Sequence, residues 1–68
     1  MLITVNGRAH ELPGPVTVAA AAAAVGVTSV DRGVAAALDG AVVPRAEWAT
    51  TPVPAGAAIE VVRAAAGG

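Results

Sequence analysis

This 68-residue sequence ends "EVVRAAAGG", and its last two residues, Gly67 and Gly68, raise the question of what chemistry a bare glycine terminus could serve. A frayed end is the simpler reading unless the rest of the chain supports another. At an average glycine usage of ~7%, two terminal glycines arise by chance about 0.5% of the time, and glycine-rich ends are commonly frayed. The remaining inventory offers little competing chemistry. Nucleophilic catalysis would need Ser29 or a threonine with His10 as base. The one carboxylate near His10 in sequence is Glu11, which strand alternation places on the opposite face. An edge-strand or solvated His10 is the simpler reading. One histidine, five scattered carboxylates and no cysteine form no recognisable metal-ligand spacing. Asp31 and Asp39 occupy turn-like positions, where aspartate commonly satisfies nearby backbone. Arg63, just before the last five residues, reads either as a solvated charge or as a contact to an acidic rim on a partner.

Composition narrows the function class. A chain of this length makes one small domain burying only ~60% of the surface its unfolded form exposes, too little to enclose a deep substrate pocket. Without cysteine it must rely on packing alone, which suits a cytoplasmic protein. Four arginines against five carboxylates leave a net charge of −1, with no basic stripe or ladder of stacking aromatics, so nucleic acid is not an expected partner. The apolar run from Val16 to Val27 is shorter than the ~20 residues a membrane span needs. It follows Glu11 and two prolines instead of a basic segment, so neither membrane insertion nor a signal peptide is expected.

Five strand candidates surround one helix. "LITV" leads into Asn6-Gly7, a strong hairpin signal, and the chain should return from Arg8 to Leu12 before "PGP" ends the hairpin. Thr17 is placed to cap a helix over Val18 to Val25, which Gly26 would close in the left-handed conformation, although Ala20 leaves the capping box half complete. "VAAAL", Asp39-Gly40 and "AVV" form a second hairpin stopped by Pro44. Trp48, the sole aromatic residue, reads as a plug for the thin core or for an edge in preference to a ligand contact. In the last strand, "AIEVVR", alternation sends Ile59 and Val61 toward the helix and Glu60 and Val62 outward. The outward sheet face, with Leu2, Thr4 and Val62 and with Arg63 at its end, is the expected partner surface. The expected fold is an α+β roll over residues 1–63, followed by a flexible tail over 64–68.

The stretches "VNGRAHEL", "TVAAAAAAVGV" and "VAAALDGAVVPRAEWA", with the final "GG", resemble the small sulfur-carrier proteins of thiamine biosynthesis. "VPRAEWA" at 43–49, taken with its distance to the end, is the most specific piece. The resemblance implies a ubiquitin-like β-grasp fold whose first and last strands lie side by side in parallel at the centre of a small mixed sheet. Two departures stand out. The helix carries alanines where such proteins place leucines, and Ala57 follows Gly56 where aspartate is common.

What the resemblance implies about activity centres on the terminus. A carboxylate is a poor electrophile because its charge is delocalised and its leaving group is poor. Joining the Gly68 carboxylate to AMP makes an acyl adenylate, and sulfur from a persulfide donor then leaves a thiocarboxylate, a strong nucleophile. Gly67 and Gly68 lack Cβ atoms and so suit a narrow channel. Ala64, Ala65 and Ala66 extend the reach without bulk, and Val62 and Arg63 complete the expected partner contacts. The protein is then a co-substrate and not an enzyme. It binds no cofactor itself, ATP being used by a partner adenylyltransferase of the ubiquitin-activating type, and thiazole synthase is the second partner. The alternatives are the small subunit of molybdopterin synthase or another ubiquitin-like carrier or modifier, and a non-catalytic binding module. Self-linked lysine chains are excluded because the sequence has no lysine.

Overall fold

The computed structural model describes residues 1–28 and 31–63. Its elements run β1 (Leu2–Val5), β2 (Arg8–Glu11), β3 (Val16–Thr17), α1 (Val18–Ala23), β4 (Val34–Leu38), β5 (Ala41–Val43), a 3-10 turn (Arg45–Glu47), β6 (Pro52–Val53) and β7 (Ala58–Arg63). Five strands form one sheet in the order β2-β1-β7-β4-β5, and β3 pairs with β6 in a separate two-stranded sheet. β7 lies parallel to β1 and antiparallel to β4, so the last strand sits at the centre beside the first. This mixed sheet with one helix across it is the ubiquitin-like β-grasp.

Both hairpins follow from their turn residues. Asn6 and Gly7 adopt φ of 53° and 79°, and Asp39 and Gly40 adopt 47° and 88°. Two consecutive left-handed residues give the turn whose twist matches that of the flanking strands. The Thr17 hydroxyl accepts from the Ala20 amide at 3.3 Å, capping α1. Regular helix stops at Ala23, short of Val25, because its end is tightened around Gly26. The Val27 amide reaches back to the Ala22 carbonyl at 3.1 Å and the Gly26 amide to Ala23 at 3.0 Å, with Gly26 at φ 89°. These bonds satisfy carbonyls that the helix end would otherwise orphan.

The β3–β6 pair has no counterpart in the sequence expectations. Two-residue strands, one beginning with proline, carry no readable alternation. The segment leading into β6 also serves α1: the Val18 and Ala19 amides donate to the Thr51 and Trp48 carbonyls, each at 3.0 Å. β2 ends at Glu11, although the Leu12 amide still bonds the Met1 carbonyl at 2.9 Å.

Ile3, Val5, Val18 and Ile59 are the largest fully buried side chains, packed with Ala21 and Ala22 from the helix. Trp48 is only 4% exposed and does plug the core, its indole N–H donating to the Val43 carbonyl at 2.9 Å. Burying that N–H without a partner would be costly. Ala57 turns its methyl into the core, and the preceding turn is held by Gly56 at φ 81°, whose amide donates to the Leu2 carbonyl at 2.7 Å. Alanine at 57 therefore adds to a small core where a carboxylate could not.

Candidate functional site

The expected reacting residues Gly67 and Gly68, and with them Ala64, Ala65 and Ala66, lie outside the described residues, as does Ser29. What the fold positions is the strand that precedes residues 64–68 in the chain, β7. Its alternation is as expected: Ile59 is buried and Val61 partly buried, while Glu60 and Val62 face outward. Leu2 (51% exposed), Val62 (61%) and Val42 (75%) share the outward face of the sheet across β1, β7 and β5. Large apolar side chains left in water on one sheet face suit a protein contact.

Arg63 departs from the expected surface. Being one residue past Val62, it points to the other side of the sheet, where its guanidinium lies 3.6 Å from the Asp31 carboxylate. Asp31 also accepts from the Thr28 amide at 2.7 Å and the Thr28 hydroxyl at 3.4 Å. The backbone hydrogen bond from Thr28 holds the Asp31 carboxyl below the usual aspartate value; it outweighs the opposing effect of burial, and the Arg63 charge adds a lesser lowering. The end of β7 is thus tied to the loop that follows the helix, and Arg63 has a partner within the fold.

On the opposite side β7 is held by Asn6. Parallel pairing with β1 covers only Thr4↔Ala58 and Val5↔Ile59 before the chain turns away. The Asn6 amide donates to the Ile59 carbonyl at 2.8 Å, and the Asn6 side-chain oxygen accepts from the Val61 amide at 2.7 Å. A side chain therefore supplies the rung that the backbone no longer reaches. The sequence marks Asn6 as a turn residue, and nothing local points to a contact so distant in the chain.

The other candidates stand apart from this end. His10 is half-buried on edge strand β2, opposite Ile3 in register, and Glu11 is engaged by the Met1 amino group at 2.8 Å. Among the described residues no three His, Asp or Glu side chains come together as a metal site. No helix among them is long and apolar enough to cross a membrane. A shallow cleft of about 190 Å³ is lined by Ala19, Val27, Thr28, Arg45, Trp48 and Ala49. Arg45 fills its rim, stacked 4.3 Å from the Trp48 ring centroid and donating to the Thr28 carbonyl at 2.9 Å. The Arg-x-x-Trp spacing of "VPRAEWA" is therefore a structural clasp, since one 3-10 turn places residues three apart on the same side. Among the described residues, the feature that sets this end apart is the exposed apolar face bearing Leu2, Val42 and Val62 beside the last strand.

The family model described as the ThiS family matches residues 3–68. A crystal structure of the thiamine biosynthesis protein ThiS from Geobacter metallireducens is similar over 100% of both chains, with 30% identity and a TM-score of 0.77. An NMR solution structure of a thiamine biosynthesis protein from the same organism is similar over 100% of this chain and 88% of that one, with 30% identity and a TM-score of 0.75. No curated protein sequence matches the chain significantly.

Proposed function

The chain belongs to the ThiS family, and from that premise we propose that it is a sulfur carrier of thiamine biosynthesis whose Gly68 carboxylate receives and donates the sulfur atom. The observation that carries this reading is a family match running through Gly68, in a β-grasp fold whose central strand ends at Arg63, shortly before the two glycines in sequence. An ATP-dependent adenylyltransferase activates the carboxylate as an acyl adenylate with release of pyrophosphate. The terminal sulfur of a persulfide attacks the acyl carbon and AMP leaves. A second thiol then cleaves the sulfur–sulfur bond, ending in a disulfide, and the chain keeps a thiocarboxylate. Thiazole synthase is the acceptor enzyme. The chain's own part is to present the terminus: the outward face with Leu2 and Val62 docks on the partner, and Ala64 to Gly68 pass into its active site. Lacking Cβ atoms, Gly67 and Gly68 leave the carbonyl open to attack from either face.

The test is mass spectrometry of the intact protein after incubation with the adenylyltransferase, ATP and a persulfide donor. The native chain is expected to gain the oxygen-to-sulfur mass difference at its C terminus. A chain extended by one alanine has an amide in place of the Gly68 carboxylate and should gain none. Gly67→Val, whose branched side chain stiffens and widens the end, should be strongly impaired, with melting unchanged in both. Sulfur acquired at Gly68 of the extended chain without trimming overturns the reading.

A further inference from the structure

The hydrogen bonds around β7 leave one edge of its last turn of strand without a neighbour. The Asp39 amide donates to the Ala58 carbonyl at 2.8 Å, so Ala58 faces β4, and alternation makes Glu60 and Val62 do the same. Ile59, Val61 and Arg63 therefore turn their backbone groups toward β1, as the Asn6 bonds to the Ile59 carbonyl and the Val61 amide confirm. β1 has ended by then. Among the described residues no hydrogen bond reaches the Val61 carbonyl or the Arg63 amide, while on the other side pairing with β4 continues through Val34↔Arg63.

Resting on the carrier reading above, we propose that this open edge is a docking site for an extended segment of the adenylyltransferase, added as a short strand alongside Val61 to Arg63. The spacing suits it. One residue of an added strand running parallel to β7 would donate its amide to the Val61 carbonyl and accept from the Arg63 amide, repeating one step further what Asn6 does with Ile59 and Val61. The edge adjoins the outward apolar face bearing Val62 and Leu2, so a partner that covers that face reaches the edge too. Backbone pairing there sets the direction and depth at which the following residues enter an active site, whatever their side chains. A second copy of this chain is the less suited occupant, because pairing two such edges would join two tail roots and leave neither free to enter an enzyme.

The experiment is amide hydrogen exchange by NMR on isotope-labelled chain, free and bound to the adenylyltransferase. In the free chain the Arg63 amide should exchange fast while the Val62 amide, bonded toward β4, is protected. In the complex the Arg63 amide should slow by about tenfold or more. Arg63→Pro removes that amide without breaking a bond to β4, and the strand conformation already suits Val62 as the residue before a proline. Compared with Arg63→Ala, which removes the same side chain, it should bind about tenfold more weakly at unchanged melting, the size of one lost hydrogen bond. A complex that forms and transfers sulfur while the Arg63 amide exchanges as in the free chain overturns the edge proposal alone. Failure of the native chain to bind the adenylyltransferase overturns the carrier reading and the edge with it. Concentration-dependent protection of Arg63 in the free chain, with dimer in sedimentation, assigns the edge to a second copy and also overturns it.

Discussion

The hairpin turns at Asn6-Gly7 and Asp39-Gly40 share one backbone geometry, yet they hold β7 at different heights and from opposite sides. Asp39 takes the start of the strand: its carboxylate accepts from the Ala58 amide at 2.9 Å, and a five-residue ladder with β4 continues from there. Asn6 takes the far end, where a two-residue ladder with β1 is already finished and its side chain accepts from Val61. The same residue class in the same turn thus begins one pairing and terminates another. The difference lies in strand direction. A hairpin beside an antiparallel neighbour extends an existing ladder, whereas a hairpin beside a parallel neighbour must turn back and leave an edge behind it.

If β7 is the strand on which both sides close, the largest loss should come from its buried centre. Ile59→Ala is expected to cost about 2–5 kcal/mol in denaturant unfolding, because so small a core collapses poorly around a cavity. A loss below about 1 kcal/mol would show that the two halves of the sheet do not depend on this strand.

The turns themselves come next. Asn6→Ala and Asp39→Ala each remove one exposed hydrogen bond to β7 and place a less tolerant residue at positive φ, for an expected cost of about 1–2 kcal/mol each. Stability alone would not separate them. Hydrogen exchange should: Asn6→Ala frees the Val61 amide and leaves Ala58 protected, and Asp39→Ala does the reverse. Loss of protection along the whole strand in either variant would mean that the turns act globally and not at two separate heights.

A smaller effect is expected from Asn6→Asp, which keeps both an acceptor oxygen and tolerance of positive φ, and should stay within about 0.5 kcal/mol of the native chain. A larger loss would show that the neutral amide itself is required beside Val61.

The smallest effect concerns the tie from Asp31 to Thr28 and Arg63. Because the folded state lowers the Asp31 pKa, the contribution of this tie is present above the ordinary aspartate value and is lost as pH falls through the lowered one. The native chain should therefore melt slightly above Asp31→Asn near neutral pH, and that margin should close on acidification below the usual aspartate range. NMR titration of the Asp31 carboxyl should show its inflection below that of an unstructured aspartate. An inflection at or above it would mean that Asp31 adds nothing to the hold that β4 and Asn6 already have on the end of β7.

Much of the fold is legible from short-range chemistry. Asn6-Gly7 and Asp39-Gly40 specify their hairpins because few residue pairs tolerate two consecutive positive φ angles, and Thr17 and Gly26 bracket the helix because each satisfies orphaned backbone groups nearby. Alternation along "AIEVVR" places Ile59 inward and Val62 outward without reference to any neighbour. Tertiary structure decided the rest: the pairing of β3 with β6, the turn of Arg63 toward Asp31, and above all the bond from Asn6 to Val61, 55 residues away. No local pattern encodes such contacts, since each depends on where a strand ends relative to a neighbour that joins it much later in the chain. Turn and cap preferences act within a few residues, whereas the edge left open beside Val61 and Arg63 exists only once the first and last strands lie together.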